Sequence, residues 1–117
     1  MKIQMWVTLL GAGLFLVSAA GCSKNKQDCE ADTPASLTYT AYIQPLVQTK
    51  CLGCHSASSI QPTLETYPQL MVIVNDGRLV NVISGAPGYV RMPYQSDPLA
   101  DCDIAYIKKW VDMGAPE

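Results

Sequence analysis

The chain has 117 residues, which is enough for one small domain. Eight Lys and Arg residues stand against ten Asp and Glu residues, for a formal net charge of −2, and the basic residues form no cluster. Because nucleic-acid binding through phosphate groups needs such a cluster, we expect no nucleic-acid partner.

The chain begins with the pattern of a secretory signal sequence. Lys2 provides a positive start, residues 5–20 are almost wholly apolar, and small residues lead up to Cys22. A membrane span needs about 20 apolar residues, so this run is short for one. We therefore predict a signal peptide over residues 1–21, with a transmembrane span as the alternative.

Residues 19–22, Ala-Ala-Gly-Cys, resemble the lipobox of bacterial lipoproteins, although that family usually has Leu where Ala19 stands. In the family, cleavage falls just before the Cys, and its thiol receives a lipid. The resemblance implies lipidation of Cys22 and an exported protein that is anchored to a membrane and faces the periplasm or cell envelope. The alternative is an ordinary cleaved signal followed by an incidental Cys.

The polar residues that follow predict a flexible tether over 22–38, and the domain is expected to span residues 39–117. Within that domain, apolar residues recur at helical spacing, and no alternating run indicates a strand. The predicted fold class is therefore all-α, with a long Gly- and Pro-rich loop over residues 85–98. Helices are predicted at about residues 42–50, 67–75, 78–84 and 101–113.

The five cysteines divide into three groups, of which Cys22 is the first. Residues 51–55, Cys-Leu-Gly-Cys-His, form the C-x-x-C-H motif of c-type haem attachment. The remaining pair, Cys29 and Cys102, is predicted to form a disulfide, because disulfides persist in the compartment to which the signal sequence points. The alternative is that both are free, small core residues.

The spacing of the motif suits one covalently attached haem c. Cys51 and Cys54 lie about one turn apart, so their thiols can form thioethers with the two vinyl groups on one edge of the ring. His55 is then the expected proximal ligand of the iron. Its other ring nitrogen should donate to a backbone carbonyl, for which Pro62 is the candidate. Because the chain has no second His, the sixth position of the iron must hold a Met, another group, water or nothing.

Three methionines remain beyond the predicted signal peptide as distal ligands. Met71 lies on the apolar face of a predicted helix and is interpreted as core filler, and Met113 lies at a helix end. Met92 precedes Pro93 in the Gly- and Pro-rich loop, where the residue before proline is held extended. Thioether sulfur suits haem iron and raises its reduction potential. We therefore predict Met92 as the distal ligand, against the alternative of an ordinary exposed or core Met.

These features together resemble the class I mono-haem cytochrome c family, especially its small lipoprotein members, over roughly residues 39–116. The resemblance rests on Ile43-Gln44-Pro45-Leu46 before the C-x-x-C-H motif, on Met92-Pro93, and on Trp110 before Gly114-Ala115-Pro116. It implies that the first and last helices cross and pack, closing the haem pocket. Ala100 stands where relatives often have a Ser cap, so Asp101 is the candidate for that role.

The function predicted from these residues is single-electron transfer by an iron with His55 and Met92 as axial ligands. Two filled axial positions leave none for a substrate, so we expect no enzyme activity of its own and no small-molecule substrate. The expected partners are redox proteins, together with the membrane that holds the lipid.

Three alternatives compete with this interpretation. A haem with an open or labile sixth site could sense a gas or handle peroxide, but distal catalysis usually needs a His or Arg, and only Arg91 is near Met92. Cys51 and Cys54 could instead form a thioredoxin-like dithiol, which expects a βαβ pattern around the motif. Zinc could bind Cys51, Cys54 and His55 with Cys29 or Cys102.

Other side chains carry weaker expectations. Arg91 is either a partner for a haem propionate or a solvated loop charge. Trp110 is interpreted as a packing anchor between helices. Tyr67, Tyr89 and Tyr94 either wall the haem pocket or belong to the ordinary surface and core.

Overall fold

The helices of the chain match the predicted fold class. The computed structural model describes residues 26–117, and this part of the chain is helical with no strand. An all-α fold is therefore confirmed for these residues. The elements in chain order are α1 (Lys26–Ala31), a π-helical turn (Tyr39–Ile43), α2 (Gln44–Lys50), α3 (Tyr67–Asn75), α4 (Arg78–Ser84) and α5 (Asp101–Asp112).

The first predicted helix starts earlier than expected and in a wider form. Thr38 caps the π-helical turn, with its Oγ1 accepting from the Ala41 N–H at 3.3 Å. Gln44 N–H then donates to the Tyr39 carbonyl five residues back. The register changes to α-helical where Pro45, which has no N–H to donate, enters the first turn of α2.

Helices α3 and α4 follow the predicted boundaries closely. Thr66 precedes α3, and its N–H donates to the Gln69 side chain at 3.0 Å, as in a capping box. Gly85 ends α4 in the left-handed conformation, with φ of 65°, and its N–H bonds to the carbonyls of Asn81 and Val82.

Helix α5 begins at Asp101, as predicted, but its N-cap is Ala100, which makes no side-chain cap hydrogen bond. Asp101 and Asp103 lie in the first turn and Lys109 in the last, an arrangement that complements the helix dipole. Trp110 is completely buried, and its Nε1 donates to the Pro116 carbonyl at 2.8 Å. The interpretation of Trp110 as a packing anchor is confirmed.

The first and last helices of the predicted domain meet through one tyrosine. Tyr42, in the π-helical turn, donates its hydroxyl to Asp103 of α5 at 2.7 Å. Its ring also packs edge-on against Tyr106, with 5.4 Å between centroids. The two ends of the predicted domain meet as well, because Tyr39 N–H donates to the Pro116 carbonyl at 2.8 Å.

The prediction of a flexible tether over residues 22–38 is wrong for the described part of that segment. Residues 26–31 form α1, and both Cys29 and Leu37 are buried in the hydrophobic core. A disulfide joins Cys29 to Cys102 on α5, the pairing that the cysteine count favours. The polar composition of the segment did not reveal that it is docked, because one covalent bond and one buried Leu are enough to hold a short segment on the domain.

Two predictions lie outside the described residues: the signal peptide at 1–21 and the lipid on Cys22. Within residues 26–117, no helix combines the length and apolar character that crossing a bilayer requires.

Candidate haem-attachment site

The C-x-x-C-H motif forms a tight turn at the end of α2. Cys51 closes the helix, with its N–H donating to the Val47 carbonyl at 2.8 Å. The Cys51 carbonyl then accepts from the N–H groups of both Cys54, at 3.1 Å, and His55, at 2.9 Å. One backbone carbonyl thus brings the two thiol-bearing residues and the imidazole-bearing residue into a single turn.

The two motif cysteines are free thiols in different environments. Cys51 is half-buried and packs against the hydrophobic core, whereas Cys54 is exposed. Burial raises the pKa of the Cys51 thiol to about 11, so this thiol is neutral near pH 7. A reactive dithiol needs the opposite shift, because the thiolate is the nucleophile. The motif also follows α2 and precedes a loop, which is not the βαβ setting of a thioredoxin-like dithiol.

The His55 ring is oriented by the loop that follows the motif. Its Nδ1 lies 2.9 Å from the Pro62 carbonyl oxygen. A carbonyl oxygen can only accept, so Nδ1 carries the proton and Nε2 keeps the lone pair that a metal ligand needs. The expectation that Pro62 provides this carbonyl is confirmed.

Backbone hydrogen bonds hold that loop closed. Leu64 N–H donates to the His55 carbonyl at 2.8 Å, and Ile60 N–H donates to the Cys54 carbonyl at 2.9 Å. Glu65 adds a side-chain contact, its Oε1 accepting from Ala57 N–H at 3.1 Å. Leu64 is buried and anchors the loop in the core.

Sequence reasoning missed both Leu64 and Glu65. Leu64 is one of two large apolar residues in that loop, and its residue type alone did not distinguish it from the exposed Ile60. No local pattern indicated Glu65, because it is one exposed carboxylate among several and its contact depends on how the loop closes.

Met92 is held by α4 rather than by the motif. Its N–H donates to the Val82 carbonyl at 2.9 Å. A second hydrogen bond, from Ala86 N–H to the Asn81 carbonyl at 2.9 Å, holds the start of the loop that leads to Met92. Met92 is half-buried. The other methionines behave differently: Met71 packs against the core, as interpreted, and Met113 is 56% exposed.

Arg91, next to Met92, is exposed, and its side-chain stem crosses Gly85. A Cβ atom at Gly85 would lie 3.2 Å from Arg91 Cδ, so the absence of a side chain at Gly85 makes room for the arginine. Tyr67 has a structural role, since its hydroxyl donates to the Ala115 carbonyl at 2.7 Å and its ring packs on Tyr39.

The two loops that carry the motif and Met92 expose apolar rather than charged surface. Residues 51–64 contain no charged side chain, and residues 79–96 contain only Arg91. Four of the six exposed large hydrophobic side chains in the described part of the chain lie in these segments: Ile60, Tyr89, Val90 and Tyr94. The two free thiols and the oriented imidazole fit a haem.

Zinc fits the described residues poorly. The predicted fourth ligand, Cys29 or Cys102, is used in the disulfide. Across residues 26–117, no three His, Cys, Asp or Glu side chains converge to hold a metal ion. An open groove of about 550 Å³ lies elsewhere, between α1 and α5, and neither the motif nor Met92 lines it.

The resemblance to class I cytochromes c therefore rests on the residues of the chain: the C-x-x-C-H motif, Met92 before Pro93, and the helix bearing Trp110. Comparison with known proteins adds nothing to it, since no family model, no curated protein and no solved structure matches this chain.

Proposed function

We propose that this chain is an exported, lipid-anchored cytochrome that carries single electrons through one covalently attached haem c. The observation that carries the proposal is the His55 imidazole. Its Nδ1 donates to the Pro62 carbonyl, so Nε2 is set to ligate, and it shares one turn with two free thiols.

Each residue of the site has a defined role in this proposal. Cys51 and Cys54 would hold the haem through thioethers, and His55 and Met92 would ligate its iron. When bound, the haem supplies an iron centre that takes up and releases one electron. The Pro62 carbonyl keeps the imidazole in one tautomer and one orientation, which limits rearrangement during transfer.

If His55 and Met92 both ligated the iron, no position would remain for a substrate, and for this reason we propose a carrier rather than an enzyme. The exposed apolar loops offer uncharged surface for docking a redox protein. Export is supported by the disulfide between Cys29 and Cys102, since such bonds persist in oxidising compartments. The anchoring step rests on the lipobox resemblance at Cys22.

Absorption spectroscopy tests the proposal directly. The full chain is expressed in a host that attaches c-type haem, and spectra are recorded oxidised, reduced, and reduced under carbon monoxide. We expect a low-spin haem that does not bind carbon monoxide, because both axial positions are filled. Prompt carbon monoxide binding would instead favour gas sensing or peroxide handling. A chain that stays colourless in a competent host would overturn the proposal.

A Cys51→Ala/Cys54→Ala variant provides the control for covalent attachment. It should lose haem on denaturation in acid acetone, whereas the unmodified chain should keep it. Loss of haem from both would show that the motif does not form thioethers.

A further inference from the structure

The segment that joins the lipid-attachment residue to the domain is much shorter than its sequence suggests. Residues 22–38 would make a long flexible arm if all of them were free. The structure instead docks this arm from Cys29 onward, where the disulfide to Cys102 fastens it to the start of α5.

Contacts besides the disulfide hold the docked segment. The buried Tyr106 hydroxyl donates to the Cys29 carbonyl at 2.9 Å, and Thr33 Oγ1 donates to the same carbonyl at 3.3 Å. Leu37 is buried in the core, and Lys109 of α5 pairs with Glu30 at 3.7 Å. Residues 29–38 are therefore part of the folded domain.

The docking limits how far the domain can move from its anchor. An extended chain covers about 3.5 Å per residue, so a free arm over residues 22–38 would reach about 55 Å. With α1 rising about 1.5 Å per residue from Lys26, the arm from Cys22 to Cys29 reaches only about 18 Å. A domain of this size is about 30 Å across. The anchor is thus too short to pass around the domain.

We propose that the disulfide clamps the domain at the membrane, so that the side opposite α1 and the start of α5 cannot be turned to the lipid bilayer. The inference rests on the proposed lipid anchor at Cys22. Because the arm is shorter than the domain is wide, the domain cannot invert and bring its opposite side to the bilayer. The docked arm keeps the carrier in a thin layer at the membrane surface.

Neutron reflectometry on a supported bilayer tests this clamp, using the lipidated, haem-loaded chain that begins at Cys22. The quantity measured is the distance from the headgroups to the protein layer. Three proteins are compared: the unmodified chain, a chain with 20 Gly and Ser residues inserted after Lys24, and a Cys29→Ser/Cys102→Ser variant. The insertion leaves the disulfide intact and shows what an unrestrained arm looks like.

We expect a narrow layer for the unmodified chain, with its near edge within about 18 Å of the headgroups, and a broad, displaced layer for the insertion variant. The double Ser variant should broaden towards the insertion variant. If the unmodified chain and the insertion variant formed layers of equal width and distance from the headgroups, the inference of a short arm would be wrong. A double Ser variant with the narrow layer would show that the disulfide is not the clamp.

The haem spectrum of the same samples separates this inference from the proposed function. If the unmodified chain had a low-spin haem but formed a layer as broad as that of the insertion variant, the clamp would be wrong and the electron-transfer proposal would be unaffected. If no haem were present, the electron-carrier proposal itself would be wrong. A Cys22→Ala variant is the control for the anchor. If the unmodified chain left the bilayer as readily as this variant, there would be no lipid anchor at Cys22, and the clamp would be wrong as well.

Discussion

Single side chains decide the chemistry of the proposed site, and Met92 is the one whose role is most directly measurable. The backbone of Met92 is fixed to α4 by its hydrogen bond to Val82, so its side chain projects from a defined point. His55 is fixed in a similar way by the Pro62 carbonyl. In both cases a neighbouring backbone group, rather than the side chain's own residue type, sets the position.

Met92→Ala is expected to leave the haem attached but lower its reduction potential by on the order of 0.1 V, since axial ligands tune the potential over roughly 0.8 V. The variant should also bind carbon monoxide when reduced, because a coordination position opens. Met113→Ala removes an exposed thioether and serves as the matched control. Potentials are measured by redox titration. Equal potentials for both variants would remove Met92 from the site.

At the scale of elements, the junctions between helices carry the geometry. Helix α4 ends at Gly85 in a left-handed conformation, and the loop to Met92 starts there. The π-helical turn before α2 contacts α5 through Tyr42, which combines a hydrogen bond to Asp103 with ring packing on Tyr106. The first junction depends on Gly85 and the second on Tyr42.

Gly85→Ala should destabilise the domain by about 1–2 kcal/mol, because a left-handed backbone disfavours a Cβ atom and that atom would crowd Arg91. Gly53→Ala is the matched control, since a Cβ atom there meets nothing within 4 Å. Denaturant unfolding gives the free energy of unfolding of each variant. If Gly85→Ala were as stable as Gly53→Ala, the loop geometry described above would be incorrect.

Tyr42→Phe keeps the ring packing but removes the hydrogen bond to Asp103, and we expect a loss of about 1–2 kcal/mol in the free energy of unfolding. Burial, together with the Asp103 hydrogen bond, raises the pKa of Tyr42 above its ordinary value. The corresponding stability is present below pH 10 and is lost as the pH rises through the folded-state pKa. The variant should therefore lose less stability than the unmodified chain between pH 9 and pH 11. Exposed Tyr94→Phe is the control, and an identical pH profile for all three proteins would contradict this reasoning.

For the whole molecule, the disulfide is the largest single constraint. It joins residues 73 apart in sequence and ties α1 to α5. A small domain buries limited apolar surface, so a cross-link of this span contributes a large share of its stability.

Cys29→Ser/Cys102→Ser is expected to lower the free energy of unfolding by about 4 kcal/mol, from the loop entropy of a closure of this length. The chain without haem and the haem-loaded chain should lose similar amounts of free energy, because neither Cys29 nor Cys102 belongs to the motif. Reducing the disulfide of the unmodified chain should lower its unfolding midpoint to that of the Cys29→Ser/Cys102→Ser variant. A reduced chain that keeps its midpoint would show that the packing of α1 and Leu37 is sufficient.

Local signals in the sequence were strong enough to predict several features. Gly85 ends α4, Thr66 begins α3 and Pro45 enters the first turn of α2, because each of these depends on the backbone preference of one residue. Pro62 was also predictable as the partner of His55, since a closed loop of seven residues brings few carbonyl groups within reach.

Features that depend on distant contacts were not predictable in the same way. Residues 22–38 looked like a free tether because composition does not reveal that Cys29 and Leu37 find partners in the core. Glu65 gave no signal, since its hydrogen bond to Ala57 exists only when the loop is closed. The start of the first helix shifted because a π-helical turn joins Thr38 to α2.

The sequence by itself determined the helical class, most helix ends and the set of candidate ligands, because these follow from residue type and short spacing. Only the tertiary structure decided that Met92 is held by α4 and that the arm after Cys22 is docked at Cys29. The physical reason is that hydrogen-bond partners and burial are properties of the folded chain. Residues far apart in sequence acquire them only when the core forms.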